Sequence, residues 1–412
     1  MQWQDARTEN REPRMNRPIV YIYGMPIGQI DDSVYGGLYG NATRSVGLAF
    51  NLAKLGHQVF LEVNEDFDQS IRPDLLPAGL EFIRPQDRDQ FLNKADCLLI
   101  SCTNLESFHK FFDREPYLEH RCRVIASCFD LGQKVFARRL KKSTKCITFN
   151  NEIQKQMWDQ RRTGIQAFEV PYGVNERSYV DDAIQDVADP SAIWIGEIRR
   201  RDVLQRIVRF AEVNVSCKVT VVTRKIFDSS LDAHERGSVG NPYADFTGRD
   251  PVEKFNEIVV ELCGIGVPSN LRFLGPVEGQ NHVIQGQHTI GLDFSRFPAQ
   301  THDNTKVLDY LRSGLCVICD RGTPSYRFVK DAGHGVIVSP EFTDDEIRTA
   351  FEDCVSLSSA TNRRAVASYV RSKYGWDVIA LKFSEILCNA TASKRWNWWN
   401  TIASLGRKRR SP

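Results

Sequence analysis

Apolar residues fall along this chain in two series of short runs, separated by segments of a different period. The first run, "PIVYIYGMP" (18–26), is nearly all apolar and rich in β-formers, which predicts a buried strand. Beyond a glycine-rich stretch, "SVGLAFNLAKLG" places Val46, Leu48, Ala49, Leu52 and Leu55 at helical spacing and stops at Gly56. "HQVFLEV" (57–63) is the next strand, completing a βαβ unit. Further strands are expected at "DCLLISC" (96–102), "RVIASCF" (123–129) and "CITFN" (146–150). A helix over "NEIQKQMWDQ" (151–160) and a strand leading into a loop at 167–176 end the series. The acidic, proline-bearing segment "DDAIQDVADPS" (181–191) reads as a linker.

The second series opens with the strand "AIWIGE" (192–197). A helix over 203–213, a strand over 217–225, an irregular insertion over 226–250 and a helix over 251–266 follow. Strands "NLRFLGPV" (270–277) and "TIGLDFS" (289–295) come next, then the short helix "DNTKVLDYLRSG" (303–314), then strands "CVICD" (316–320) and "GVIVS" (335–339). Two α/β series of similar length predict two doubly wound domains facing across a cleft, with ligands at the carboxyl ends of the strands.

Composition adds limits. The 412 residues are 42% apolar and 26% charged, ordinary for two globular domains. A net charge of +2 gives no basic excess of the kind nucleic-acid binding needs. The N-terminus lacks an apolar signal core, and no run approaches the roughly 18 apolar residues of a membrane span, so a cytoplasmic protein is expected. The 11 cysteines are scattered through apolar runs. Cys316 and Cys319 form a CxxC, but on a strand they point to opposite faces, so buried reduced thiols are expected rather than a metal or redox pair. The eight histidines form no HxxxH or HExxH pattern; His57 reads as structural, and no metal is expected.

Four segments bear candidate chemistry. In "YGGLYGNATRS" (35–45), Gly36, Gly37 and Gly40 lie between strand and helix, where backbone N–H groups can face an anion or simply form a tight turn. Asp130, just beyond a predicted strand end, is placed either as a general base or as a helix cap or ion-pair partner of Arg138. In "IWIGEIRRRD", Glu197 is followed by Arg199, Arg200 and Arg201. Arginine forks suit phosphate oxygens, and Arg224 and Lys225 end the next strand at the same sheet edge; the alternative is a solvated helix start. The fourth is "DNTKVLDYLRSG" itself. Asn304 or Asp303 can cap it, Val307, Leu308 and Leu311 form its apolar face, and Lys306 stands in the first turn against the helix dipole. Lys306 and Asp309 share the opposite face, either as a surface salt bridge or as ligands for a phosphate and for sugar hydroxyls.

The ordered set "YGGLYG…LAFNLAKLGHQVFLEV", "VPYGVNERSY", "IWIGEIRRRD", "NLRFLGPV" and "DNTKVLDYLRSGLCVICDRGTPSYRFVKDAGHGVIV" resembles the GT-B glycosyltransferases of the "group one" nucleotide-sugar type. "SKYGWDVIALKFSEIL" (372–387) resembles their aromatic helix that crosses back to the first domain. The resemblance implies a loose extension (1–17), an acceptor domain (18–180), a donor domain (191–370), a crossing helix (371–390) and a Trp-rich basic tail (391–412). It also implies a nucleotide-sugar donor, UDP-linked in the commonest case, a hydroxyl acceptor that is lipid-linked or a growing glycan, and no further cofactor.

Within that resemblance Asp309 stands where a ribose-binding Glu is usual. Asn304, Thr305 and Lys306 stand at the diphosphate, Val277 beside the base, and Gly36 and Gly37 across the cleft. The chain departs from the pattern at Thr301, where a Glu is expected, and at "EIRRR", where Arg199 to Arg201 replace a different basic pair. "RVIASCFDLG" is similar to a segment of the xanthan glucuronosyltransferase branch, which uses such an Asp as an inverting base, the role implied for Asp130. A nucleotide-sugar epimerase of the same fold and a non-catalytic sugar-nucleotide-binding scaffold are the alternatives. In the tail, Trp396, Trp398 and Trp399 sit among six basic residues and no acid. It is read either as packing on the first domain ahead of a disordered end, or as a peripheral contact with the inner face of the membrane.

Overall fold

The computed structural model describes residues 17–24, 27–30, 41–102, 123–128, 144–161, 163–174, 184, 189–228, 242–246, 250–277, 281–295 and 303–391. Two parallel sheets organise the described chain. The first contains β1 (Val20–Tyr23), β2 (Val59–Glu62), β3 (Leu80–Ile83), β4 (Cys97–Cys102), β5 (Arg123–Cys128), β6 (Thr144–Phe149) and β7 (Gln166–Glu169). Their spatial order is β3-β2-β1-β4-β5-β6-β7. The second contains β8 (Ser191–Ile195), β9 (Lys218–Val222), β10 (Leu271–Phe273), β11 (Ile290–Asp293), β12 (Cys316–Cys319) and β13 (Gly335–Ile337), in the order β10-β9-β8-β11-β12-β13. Renumbered from its own first strand, the second sheet repeats the first over six strands, 3-2-1-4-5-6. That is the doubly wound order, in which the chain reverses direction between its first and fourth strands.

Burial on both faces explains the unbroken apolar runs. Every residue of β2, β8, β11 and β12 is buried, as a parallel sheet covered by helices on each side requires. Register follows from the same runs: Val20 pairs with both Val59 and Cys97, and Ala192 with both Val219 and Ile290. The strand β3 is the one that periodicity misses. It lies at the sheet edge with Glu81 exposed, so it has no fully apolar stretch to announce it. Cys316 and Cys319 are buried free thiols that pack into different apolar clusters, one on each face of β12.

The helices that matter for the site are α1 (Asn41–Lys54), α2 (Glu152–Asp159), α3 (Arg201–Val213), α4 (Pro251–Cys263), α5 (Thr305–Arg312), α6 (Tyr326–Ala332), α7 (Asp344–Leu357) and α8 (Ala360–Tyr374). The helix expected from Ser45 starts at Asn41, directly beyond the glycine-rich stretch. The expected crossing helix is divided. α8 ends at Tyr374, Gly375 is extended and bridges to Val174, and a new helix, α9 (376–391), begins at Trp376.

α9 returns to the first sheet. The Trp376 ring is held between Gly47 of α1 and Gly173, and a Cβ at either glycine would stand 2.4 Å from a ring carbon. Ile379, Ala380, Phe383, Ile386 and Leu387 continue its buried stripe. His57 closes the contact, with Nδ1 against the carbonyl of Pro18 at 2.9 Å and Nε2 against Ser384 Oγ at 2.7 Å. Burial lowers the His57 pKa, favouring the neutral ring that these two neutral partners suit. No helix among the described residues is long and apolar enough to cross a membrane.

Candidate functional site

The switch point of the second sheet lies between the adjacent strands β8 and β11. Beyond β8 the chain turns at Gly196, whose φ of +118° is a conformation that side-chain-bearing residues rarely adopt. Beyond β11 it runs through Ser295 toward α5. The first turn of α5 therefore stands over the carboxyl ends of both strands, and its side chains build the site.

Asn304 caps α5, its Oδ1 accepting from the N–H of Lys306 at 3.4 Å. The same side chain donates from Nδ2 to Asp293 Oδ1 at 2.9 Å and to Ser295 Oγ at 2.8 Å, tying the helix start to the end of β11. Asp303 takes a different part. It is 2% exposed and accepts from Asn151 Nδ2 and Arg327 Nη2, both at 3.1 Å. Arg327 also reaches Glu169 at 3.6 Å. Asn151 and Glu169 belong to the first half, so Asp303 and Arg327 form a polar clasp between the two halves. Burial pushes the Asp303 carboxyl up to about 6, and Arg327 and Asn151 only partly oppose that.

Lys306 is the central group. Its Nζ lies 3.4 Å from the centroid of the Trp194 ring, 3.3 Å from Ser295 Oγ and 3.9 Å from Asp293 Oδ1. The lysine side chain is 13% exposed and the aspartate 1%. Burial lowers the Lys306 ammonium to about 8; Asp293 opposes the shift and the nearby positive charge of Arg199 adds to it. Burial also raises the Asp293 carboxyl above the usual range, with Lys306 the main opposing influence. The carboxylate beside Lys306 is thus Asp293, from another strand, in place of the surface pair with Asp309 that helical spacing allows.

Asp309 is half-buried on α5. It lies within electrostatic reach of Tyr172 in the first half, whose phenol is raised chiefly by burial, with the Asp309 charge contributing. Thr305 and Val277 are half-buried at the same end of the sheet.

The arginine segment separates on folding. Arg200, the N-cap of α3, forks onto Asp202 at 2.8 and 2.9 Å, while Arg201 donates to the carbonyl of Leu262. Arg199 stays exposed with Glu197 3.3 Å away, and it is the arginine whose charge Lys306 feels. At the sheet edge the two segments pair through backbone: Ile198 N–H donates to the carbonyl of Lys225, and Phe227 N–H to that of Ile198. Arg224, with its side chain exposed, lies beside that pairing. Asp130, Gly36, Gly37, Arg138, Thr301, Trp396, Trp398 and Trp399 lie outside the described residues. Sequence reasoning missed Asp293 and Trp194. The signal for Asp293 was present, because an acid ending the otherwise apolar run "TIGLDF" needs a buried donor or cation.

No family model matches the chain, and no curated protein matches it. Solved structures do, over nearly its whole length. A glycosyltransferase from Rickettsia africae matches with a TM-score of 0.59 at 10% identity, over 91% of this chain and 99% of its own. Sucrose-phosphate synthase from Thermosynechococcus elongatus matches at 0.57 and 13%, over 92% and 100%. Anabaena HepE, solved with UDP-glucose, matches at 0.56 and 12%, over 90% and 100%. At such identities the likeness speaks for architecture, and together with the twice-repeated strand order it gives this chain the GT-B fold, two Rossmann-like halves with a C-terminal helix returned to the first.

Proposed function

We propose that this protein is a glycosyltransferase that moves a sugar from a nucleotide-sugar donor, a UDP-sugar, to a hydroxyl of a lipid-linked or growing glycan acceptor. The observation that carries the reading is Lys306, a nearly buried cation at the first turn of α5, over the switch point of the second sheet. A cation there, beside a helix N-terminus, suits an anion that enters from the cleft. Structural likeness to HepE solved with UDP-glucose points to the class of anion.

In this reading the second half holds the donor. Lys306, with Asn304 and Thr305 at the helix start, takes the diphosphate, aided by Arg199, by Gly36 and Gly37 across the cleft, and by Arg224 at the rim, while Arg200 stays forked on Asp202. Asp309 takes ribose hydroxyls, and the backbone near Val277 and Glu197 meets the base and the sugar. The acceptor oxygen attacks the anomeric carbon as the bond to the β-phosphate oxygen breaks. The electron pair goes to the diphosphate, where positive charge stabilises it. Asp130 takes the acceptor proton, which makes the reaction inverting. The basic Trp-rich tail brings the enzyme to the inner face of the membrane, where lipid-linked acceptors reside.

The test is a thermal-shift screen of UDP-, GDP- and ADP-sugars on the full chain, followed by assay of the stabilising donor for hydrolysis and transfer. Stabilisation by a UDP-sugar with turnover supports the proposal. Stabilisation without turnover across a panel of polyprenyl-linked and soluble glycan acceptors would turn the assignment to a binding scaffold. Full turnover by Asp130→Asn would remove Asp130 as the base.

A further inference from the structure

We propose that Trp194 is the positioning residue for Lys306: its indole face keeps the ammonium charged and in place over the strand ends when no ligand is bound. The inference extends the reading of Lys306 as the diphosphate cation, and it rests on geometry around the amine. The ring centroid lies 3.4 Å from Nζ, a close cation–π contact. Ser295 Oγ is a long hydrogen-bond partner at 3.3 Å, and Asp293 Oδ1, at 3.9 Å, is beyond hydrogen-bond reach. That oxygen already accepts from Asn304 Nδ2 at 2.9 Å, and its carboxylate from Ser295 N–H as well.

The indole itself cannot turn away. Trp194 is fully buried in the apolar cluster between β8 and helices α3, α4 and α7, and its Nε1 donates to the carbonyl of Gly196 at 3.0 Å. The charged groups facing Lys306 are Asp293 at the end of β11 and Arg199 beyond β8, one attractive and one repulsive. An aromatic face attracts a cation without occupying its N–H donors. A close carboxylate would attract it more strongly but would compete with an incoming anion for those donors. Trp194 therefore solves a specific problem: it stabilises the charge of a buried lysine and leaves its hydrogen-bonding capacity to a ligand.

The experiment follows Lys306 directly, in the full-length protein labelled with 13Cε-lysine, its resonance assigned by its loss in Lys306→Met. Trp194→Leu should lower the titration midpoint of Lys306 by about one pH unit, while Trp194→Phe, which keeps a ring face, should retain most of the wild-type value. If Trp194→Leu does not fold, Trp194→Met removes the ring at similar apolar volume. UDP affinity at pH 7.5 should weaken about threefold in the Leu or Met variant, the loss of protonated lysine that a one-unit shift produces from a midpoint near 8. An unchanged Lys306 midpoint in a folded Leu or Met variant overturns the proposal, as does a Phe variant shifted as far as Leu. A Trp194-dependent midpoint in a protein that binds none of UDP, GDP or ADP supports the role of Trp194 and removes the diphosphate reading instead.

Discussion

Lys306→Met tests the site most sharply, because the affinity it should cost depends on pH in a way that the structure specifies. Burial lowers the Lys306 ammonium to about 8, which corresponds to about 90% protonation at pH 7 and about 10% at pH 9. Hydrogen bonds from a charged donor to phosphate contribute about 1.5–3 kcal/mol, so Lys306→Met should weaken UDP binding by one to two orders of magnitude at pH 7. By linkage the same coupling raises the lysine midpoint in the complex by about one to two units. Between pH 7 and 9 the wild-type affinity should therefore fall about five- to tenfold more than that of Lys306→Met. Ionisation of UDP itself is common to both proteins and cancels. Calorimetry in buffers of differing ionisation enthalpy gives a second reading: about half a proton taken up per UDP bound at pH 8 by the wild type, and none by the variant. Equal pH slopes for the two proteins would refute the argument, because they would mean that the ligand does not meet the ammonium.

Three further outcomes follow from burial. His57, His288 and His334 all have depressed pKa values from burial, His334 down to about 4, so the unfolded chain protonates first and stability falls as pH drops below 6.5. His334 alone should contribute about 2 kcal/mol of that loss between pH 7 and pH 5, and urea unfolding of His334→Gln should show a correspondingly shallower slope. Gly47→Ala drives a Cβ against the Trp376 ring and should cost about 1–3 kcal/mol with faster amide exchange in α9, whereas Gly266→Ala, which meets nothing within 4 Å, should be near neutral in the same assay. Arg327→Ala leaves the buried Asp303 carboxylate with Asn151 alone and should destabilise by about 2–3 kcal/mol at pH 8, a loss that Asp303→Asn in the same background should partly restore.

What could be read from the sequence was what local pattern encodes. Fully buried strands such as β2, β8 and β12 appear as continuous apolar runs, and α5 declares itself through Asn304, its apolar face and Gly314. β3 is hidden because an edge strand with one wet face needs few apolar residues. The oddity of Lys306 was legible, but its surroundings were not, since Trp194, Asp293 and Lys306 meet only through the 8-11 strand neighbourhood of the folded sheet. The arginine run shows the converse. Three adjacent forks look like one anion site in sequence, yet local partners at Asp202 and Leu262 take up Arg200 and Arg201, and Arg199 meets Glu197 while its charge still reaches Lys306.

The charges at the head of α5 are not arranged as a stabilising ion pair. A buried ion pair that served stability would bring its charges into hydrogen-bond contact and hold each in its ionised form. Lys306 and Asp293 do neither: they stand 3.9 Å apart, and burial shifts both toward neutrality, the lysine down and the aspartate up. Asn304 and Ser295 donate to the aspartate, while the aromatic face of Trp194 holds the lysine. The two charges are thus supported separately, each by neutral partners, in a layout that is costly for folding. An anion bound to Lys306 would oppose the burial that lowers the lysine and accept from its N–H groups, so the cost of burying the charge is offset in the complex. A lysine kept for structure would be replaced by methionine with a loss of stability and no effect on nucleotide affinity, whereas a binding lysine in this layout gives affinity lost without stability lost; the two measurements on Lys306→Met distinguish a binding group from a structural one.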